Sequence, residues 1–349
     1  MSRYQMAACL LALLIGTSTT ATAAEVHSGP LFFDDSKVVS VEYPSWFKAS
    51  FMNLDDDLTE ARDDGKMGLM LLFGTNGCAY CRAFVRQSLS DEGLQKQVRE
   101  NFDVIGLEMF SDVEVTDLNG QRLAVKDFAL REGATVAPTI IFVGTDGRQL
   151  LRLQGYYPPR QFRVVLDYLA GRHFETASLR DYVVEQMSRK SELQSAEPQS
   201  SAAQTTTLDL NRQIVPARRP LLAFFGGSDC LECQQLRSEV LTYPPVSKQI
   251  ARFETAHLNW SDDRTLLVTP LGRRSNPADW ARELDVTQLP TMVFFDEGGR
   301  EVFRLESQVL RQRMERALLY VLERAYADGT TYQQFTRAKT IEKLSAEGD

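Results

Sequence analysis

Short, continuously apolar segments alternate along this chain with segments whose apolar residues are spaced for a helix. Residues 69–73 are all apolar and are bounded by glycine on both sides, which is typical of a strand buried on both faces. In residues 159–170, Phe162, Val165 and Leu166 recur with helical spacing, which predicts an amphipathic helix. The segments follow the order strand, helix, strand, helix, strand, strand, helix. This order predicts an α/β fold in which the last two strands form a hairpin.

The patterns also predict where the individual elements lie. A helix begins with the acidic run at Asp55 and ends near Gly65, and a hairpin turns at Asn119-Gly120. The other elements predicted in the first half are strands at 67–73, 102–107, 139–143 and 150–153 and helices at 126–132, 159–170 and 178–187. Those predicted in the second half are strands at 221–225, 253–258, 291–295 and 301–305, helices that begin at 234–240 and after a cap at 275–277, and a long helix at 309–326.

The second half of the chain repeats the first. A shift of 152 residues places Cys78 on Cys230 and Cys81 on Cys233, with few insertions elsewhere. The same shift superposes further residues: Phe73 on Phe225, Asp127 on Asp279, Pro138-Thr139 on Pro290-Thr291, and Gly147-Arg148 on Gly299-Arg300. Two tandem domains explain this match. We expect the first domain at 25–190, a polar, flexible linker at 191–206 and the second domain at 207–349.

The first 24 residues have the three parts of an export signal. Arg3 supplies a positive start, residues 7–15 are apolar, and Ala21-Thr22-Ala23 is a small-residue cleavage pattern. The apolar run is about half of what spans a bilayer, which disfavours a membrane anchor. We therefore expect a signal peptide at 1–24, cleavage after it, and a periplasmic protein.

Charge and cysteine usage narrow the function further. The net charge is −8 and no run of Lys or Arg occurs, so a nucleic-acid partner is not expected. Cleavage of the signal removes Cys9 and leaves two C-x-x-C pairs, Cys78 with Cys81 and Cys230 with Cys233. Structural disulfides of exported proteins are scattered and close large loops. Pairs this close together indicate redox chemistry.

The segments around the cysteines resemble the thioredoxin superfamily. The resemblance rests on Cys78-Ala79-Tyr80-Cys81 after an apolar strand with Ala137-Pro138-Thr139 further on, and on Cys230-Leu231-Glu232-Cys233 with Leu289-Pro290-Thr291 at the same separation. It implies two tandem thioredoxin-like folds, each a central mixed β-sheet flanked by helices. It also implies that Pro138 and Pro290 are cis, and that Ala137-Pro138 and Leu289-Pro290 hold an extended substrate segment by strand-like pairing.

Residues 43–170 resemble more specifically the periplasmic SoxW-type thioredoxin-like proteins. The likeness rests on Tyr43-Pro44-Ser45-Trp46-Phe47-Lys48, the Cys-Ala-Tyr-Cys pair, the hairpin at 117–121, and Gly155-Tyr156 before Pro158-Pro159. Two departures from thioredoxins stand out. Gly77 and Asp229 occupy the place of the tryptophan before the first cysteine, and the strands before the two motifs lack a buried acid.

The chemistry expected at each pair is thiol–disulfide exchange. The first cysteine, Cys78 or Cys230, lies at a strand-to-helix turn, where the helix terminus favours its thiolate, and we expect it to be the exposed nucleophile. Cys81 or Cys233 then resolves the mixed disulfide. No cofactor is expected.

The two pairs differ in the charges beside them. Arg82 adds a positive charge next to the first pair, whereas Asp229 and Glu232 surround the second with negative charge. Because negative charge disfavours a thiolate, we expect Cys78 to have the lower pKa and the first pair to be the main catalytic site. The second pair would be slower, more reducing or specialised for one partner.

Several functions are compatible with the sequence. The leading interpretation is an exported disulfide reductase that acts on protein disulfides and receives electrons from a membrane donor. An oxidase or isomerase would use the same motif, and a protein-binding scaffold could keep one or both pairs as vestiges. A metal site is disfavoured because the pairs lie about 150 residues apart, against roughly 15–20 in a four-cysteine zinc site.

Overall fold

Two four-stranded sheets form the framework of the protein. The structure is a computed structural model that describes residues 41–194, 207–215, 217–227 and 230–347. The expected signal peptide and its cleavage site lie outside these residues, as do positions 195–206 of the expected linker. Within them, no helix combines the length and apolarity that crossing a membrane requires.

The first half builds its sheet in the order β2-β1-β5-β6. Strand β2 is parallel to β1, while β5 and β6 are antiparallel to their neighbours. Its elements are α1 (Leu54–Asp63), β1 (Gly68–Gly74), α2 (Ala79–Ala83), α3 (Glu92–Asn101), β2 (Phe102–Glu108), β3 (Glu114–Thr116), β4 (Arg122–Ala124), α4 (Val125–Arg131), β5 (Thr139–Gly144), β6 (Gln149–Gln154), α5 (Pro159–Ala170) and α6 (Leu179–Gln194). A π-helical turn, Phe84–Ser88, continues α2.

The second half repeats this sheet in the order β9-β8-β12-β13. Its elements are β7 (Leu208–Asp209), β8 (Leu221–Gly226), α7 (Leu231–Gln235), α8 (Pro244–Ile250), β9 (Glu254–Asn259), β10 (Leu267–Val268), β11 (Arg274–Ser275), α9 (Pro277–Glu283), β12 (Thr291–Phe295), β13 (Glu301–Glu306), α10 (Arg311–Leu322) and α11 (Tyr332–Glu347). A second π-helical turn, Leu236–Val240, continues α7.

The expected order of elements is confirmed in both halves. All seven residues of β1 are buried, as an uninterrupted apolar strand requires. Helix α5 has the predicted bounds, and its apolar face is buried. The helix predicted at 309–326 is wrong at its end: α10 stops at Leu322, and Arg324 adopts a left-handed φ of 55°, which a continuing helix does not allow.

Helices α6 and α11, the last of each half, contact the opposite half of the molecule. Val183, Val184 and Met187 of α6 pack against the second half's core. Arg180 of α6 donates to the backbone carbonyl of Trp260 at 3.0 Å. Strand-like pairing joins Tyr156 and Gln308, which occupy equivalent positions in the repeat. The two halves therefore share one interface.

Candidate functional site

Each cysteine pair lies where the central strand of its sheet ends and a helix begins. Cys78 is the N-cap of α2, and its Sγ accepts a hydrogen bond from the backbone N–H of Cys81 at 3.0 Å. Cys230 caps α7 in the same way, with the N–H of Cys233 at 3.0 Å. This donor stabilises negative charge on the first sulfur once the pair is reduced.

The structure brings the two cysteines of each pair into a disulfide. The preceding strand approaches the second cysteine closely: a Cβ added to Gly74 would lie 3.5 Å from Cys81 Sγ, and one added to Gly226 would lie 3.5 Å from Cys233 Sγ. Gly77 has a φ of 83°, which glycine adopts without strain. The backbone turn at Gly77 therefore explains the departure from tryptophan at this position.

The first cysteines are buried, contrary to the expectation from sequence. Cys78 is 3% exposed and Cys230 is 5% exposed. A position at the start of a helix would by itself leave the sulfurs of Cys78 and Cys230 accessible to solvent. They are covered because each half of the molecule places helices over the other half's cysteine pair.

Helices α10 and α11 cover the first site. Arg313 donates to the carbonyl oxygen of Ala137 at 2.7 Å, and the Ala137 N–H donates to Oε1 of Gln333 at 3.3 Å. The Arg313 guanidinium lies 3.4 Å from the centre of the Tyr80 ring, and the Leu310 N–H donates to the Tyr80 hydroxyl at 2.9 Å. Tyr80 is thus a buried contact of the interface.

Helix α5 covers the second site through different side chains. Gln161 donates from Nε2 to the carbonyl oxygen of Leu289 at 3.1 Å. Arg160 forms an ion pair with Glu232 at 3.0 Å, and the Glu232 side chain is 8% exposed. The negative charge expected to act on Cys230 is therefore opposed by a cation in this arrangement. Asp229, the other acidic neighbour, lies outside the described residues.

The two proline segments adopt the conformation that the resemblance implies. The bonds Ala137-Pro138 and Leu289-Pro290 are both cis. The threonine that follows each proline is buried, and its hydroxyl donates to a nearby carbonyl: Thr139 to Val136 at 2.6 Å, and Thr291 to Gln288 at 2.7 Å. These bonds fix the segments at the start of β5 and β12.

Two side chains near the second cysteines were not identified from the sequence: Tyr43 beside Cys81, and His257 in the cleft that Cys233 lines. A Cβ on Gly74 would meet the Tyr43 hydroxyl at 2.9 Å, so this hydroxyl lies beside the Cys81 site. Burial, and then the charge of Glu108, raises the pKa of Tyr43. The Tyr43 ring packs against Gly106 of β2 in the first half, and only the fold shows that its hydroxyl reaches the site.

The second half has an open cleft where the first half has Tyr43. The cleft has a volume of about 360 Å³, and its lining includes Cys233, Pro290 and His257. The His257 ring stacks on Phe224 at 4.7 Å. Burial, and then the charge of Arg237, lowers the pKa of His257. Among the described residues, three or more His, Cys, Asp or Glu side chains do not gather in a group able to hold a metal ion.

Comparison with known proteins identifies the class. The thioredoxin-like domain family matches residues 54–170 and again residues 211–322, more than half of the chain. The chain therefore belongs to this family, as two tandem thioredoxin-like regions. Together with a C-x-x-C disulfide at the helix terminus of each region, this makes the protein a thiol–disulfide oxidoreductase.

Solved structures resemble one region at a time. A thioredoxin-fold protein from Helicobacter pylori is 21% identical, with a TM-score of 0.33, and the match covers 42% of this chain and 91% of that one. A thioredoxin from Thermus thermophilus is 23% identical, with a TM-score of 0.28, covering 38% and 88%. The C-terminal domain of Neisseria meningitidis DsbD is 14% identical, with a TM-score of 0.23, covering 30% and 82%. Among curated proteins, none matches the chain.

Proposed function

We propose that the protein is an exported, periplasmic disulfide reductase that acts on protein disulfides, with Cys78 and Cys81 as its main catalytic pair. One observation carries the proposal. In each region the first sulfur already accepts the backbone N–H of the second cysteine at 3.0 Å, so reduction leaves a thiolate with a donor in place. The Ala137 and Leu289 backbones beside the pairs supply the groups that hold an extended substrate.

The reaction is a two-step exchange. The Cys78 thiolate attacks one sulfur of a substrate disulfide, forms a mixed disulfide and releases the other substrate sulfur as a thiolate. Cys81 then loses its proton and attacks the Cys78 sulfur, which forms the Cys78–Cys81 disulfide and releases the second substrate thiol. Two electrons and the Cys81 proton pass to the substrate, and the substrate thiolate released in the first step takes its proton from water. A dithiol donor at the membrane then reduces the Cys78–Cys81 disulfide with two electrons and becomes a disulfide itself.

Two features of the sequence support export. The first 24 residues carry the charge, apolar run and small-residue site of a cleaved signal. Beyond Cys9, which cleavage removes, the chain has only the four paired cysteines, as expected for a dithiol enzyme in an oxidising compartment. Fractionation of cells that express the full chain tests this, because cytoplasmic retention of an uncleaved protein contradicts it.

The direction of electron flow is tested by two reduction potentials. Variants that keep one pair and carry serine at the other are equilibrated with glutathione or dithiothreitol buffers. A reductase is expected near the thioredoxin potential of about −270 mV, whereas values near about −120 mV, as for a strong oxidant, contradict it. The same variants are then assayed for cleavage of a disulfide in a small protein.

A scaffold function is the second candidate, because both pairs are buried. At 3% and 5% exposure, Cys78 and Cys230 are not open to a folded substrate in this arrangement. A reduced protein that cannot cleave a substrate disulfide, even when variants expose its thiols, favours the scaffold. Cleavage that depends on Cys78 excludes it.

A further inference from the structure

The backbone atoms that a thioredoxin-like region offers to an extended substrate are occupied within the chain. At the first site, both the N–H and the carbonyl of Ala137 are hydrogen-bonded to side chains of the second region. At the second site, the carbonyl of Leu289 accepts from Gln161 of the first region. A substrate segment cannot pair with these atoms while the contacts persist, because each donor or acceptor already has its partner.

The two occupying side chains are equivalent in the repeat. Arg313 is the third residue of α10 and Gln161 is the third residue of α5, and a shift of 152 residues superposes them. Each donates to the carbonyl oxygen that precedes a cis proline, at 2.7 and 3.1 Å. Tyr156 and Gln308, which pair between the halves, are related by the same shift. The contacts therefore repeat about an approximate two-fold axis.

Because of this symmetry, one interface covers both sites. Movement of the halves apart would break the Arg313 contact and the Gln161 contact in the same event. Independent fraying of α5 or α10 would instead expose one site and leave the other covered.

We propose that Arg313 and Gln161 are paired gatekeeper residues, and that a single opening of the interface between the two regions makes both cysteine pairs accessible together. They determine which substrates are processed, since only a partner that reaches the opened form can pair with Ala137 or Leu289. The selection of substrates by these residues rests on the proposed function. The coupled opening rests on the contacts alone.

The first measurement uses the reduced natural protein without substrate. A small alkylating reagent labels its thiols at native pH, and mass spectrometry of the peptides separates Cys78 from Cys230. Both cysteines should label at least about tenfold more slowly than in the urea-unfolded protein, since labelling requires opening. Labelling of the native protein at the unfolded rate would overturn the proposal.

The second measurement compares gate variants with matched controls on the same helices. Arg313→Ala and Gln161→Ala each remove one gate contact. Arg311→Ala and Arg163→Ala are the controls, because the contacts of Arg311 to Glu239 and of Arg163 to Asp91 stay within one region. Circular dichroism and thermal unfolding establish that each variant folds. If Arg313→Ala does not fold, the more exposed Arg160 replaces it as the site of substitution.

Each gate variant should speed labelling of both cysteines, by about tenfold for Arg313→Ala and less for Gln161→Ala, while the controls label like the natural protein. Faster labelling of only the nearer cysteine, or of neither, contradicts a single opening. The readout needs no substrate. An enzyme without reductase activity that still shows coupled labelling would refute the proposed function and retain the gate.

Discussion

The two cysteine sites have the same backbone arrangement but differ in the side chains that cover it. In both sites the sulfur of the first cysteine accepts a backbone N–H at 3.0 Å. In both, a guanidinium of the other half also contacts the residue two positions after that cysteine. At the first site this residue is Tyr80, whose ring faces Arg313. At the second it is Glu232, paired with Arg160. The repeat has preserved the disulfide geometry while its neighbours have diverged.

This difference changes the charge that acts on Cys230. From sequence, Glu232 places a negative charge beside Cys230 and nothing opposes it. In the structure Arg160 opposes that charge for as long as the halves are in contact. The expected difference in thiol pKa between Cys78 and Cys230 should therefore be small in the closed form and larger in the open form.

The sites differ also on the side of the second cysteine. In the first half the Tyr43 side chain lies next to Cys81. Its ring fits there because residue 106 is glycine: a Cβ on Gly106 would lie 2.6 Å from the Tyr43 ring. The second half has Leu258 at the equivalent position and an open cleft instead. The second site is thus the one whose resolving cysteine, Cys233, lines a cleft.

The largest effect should come from removing one nucleophile at a time. Cys78→Ser should lower disulfide-reductase activity by at least about a hundredfold, because no thiolate remains at the proposed main site. Cys230→Ser should retain most of the activity. The check is the initial rate of insulin disulfide cleavage by each reduced variant. Equal losses in the two variants would break the proposed division between the sites.

The next effect concerns the turn between β3 and β4 in the first half and the equivalent turn between β10 and β11 in the second. Asp117 is buried and accepts backbone N–H bonds from Asn119 and Gln121, and Arg131 lies 2.6 Å away. Asp117→Asn should lower the free energy of unfolding by about 2 kcal/mol, which urea titration measures. Thr269, the equivalent residue of the second half, is uncharged, so Thr269→Val is the matched control and should cost less.

Acid should weaken the same turn. Burial opposes ionisation of Asp117, but the bond from Gln121 and the contact with Arg131 outweigh it, and its pKa is lowered from 3.8. A lowered carboxyl pKa stabilises the fold above 3.8, and this contribution is lost as the pH falls through the lowered value. Acid titration of the natural protein and of Asp117→Asn should show a smaller pH dependence in the variant.

A smaller effect tests the charge at the second site. Arg160→Ala should raise the pKa of the reduced Cys230 thiol, because Glu232 then acts on it unopposed, and should lower its thiolate fraction about threefold at neutral pH. The pH midpoint of alkylation measures this separately from accessibility, which sets the plateau rate. An unchanged midpoint would show that Glu232 does not influence Cys230. Arg163→Ala is the control.

The smallest effect concerns the cleft of the second half. Burial and Arg237 lower the pKa of His257 from 6.5, so the neutral ring is the form that the fold favours. Its contribution to stability is complete above 6.5 and is lost as the pH falls through the lowered value. His257→Phe keeps the stacking on Phe224 and should reduce this pH dependence by less than about 1 kcal/mol in urea titrations at several pH values.

Much of the fold could be predicted because local patterns determine it. The central strands are continuous apolar runs, and α5 has a clear apolar face and Pro159 at its start, so their bounds were predicted to within about one residue. Helix α11 was missed, because few of its residues are large and apolar: Tyr332 and Phe335 are buried in the core of the second half, but Ile341 is exposed. The short strand β7 was missed because two residues carry no periodic pattern.

The cysteine pairs and proline segments were located from the repeat, whereas the covering contacts were not. A duplicated domain does not reveal how its copies dock, since docking depends on surface shape. Arg313 and Gln161 appear in the sequence as ordinary polar residues of amphipathic helices. The only signal was that both lie at the third helical position after equivalent loops, which has meaning only once the fold is known.

The thiolate titration of each first cysteine in the reduced protein tests most directly which pair is the main catalytic site. Cys230→Ser with Cys233→Ser leaves Cys78 to be titrated, and Cys78→Ser with Cys81→Ser leaves Cys230. The pH dependence of alkylation gives each pKa. We expect a lower pKa for Cys78 than for Cys230, with a wider gap when Arg160→Ala is added. An equal or lower pKa at Cys230 would contradict the first pair as the main catalytic site.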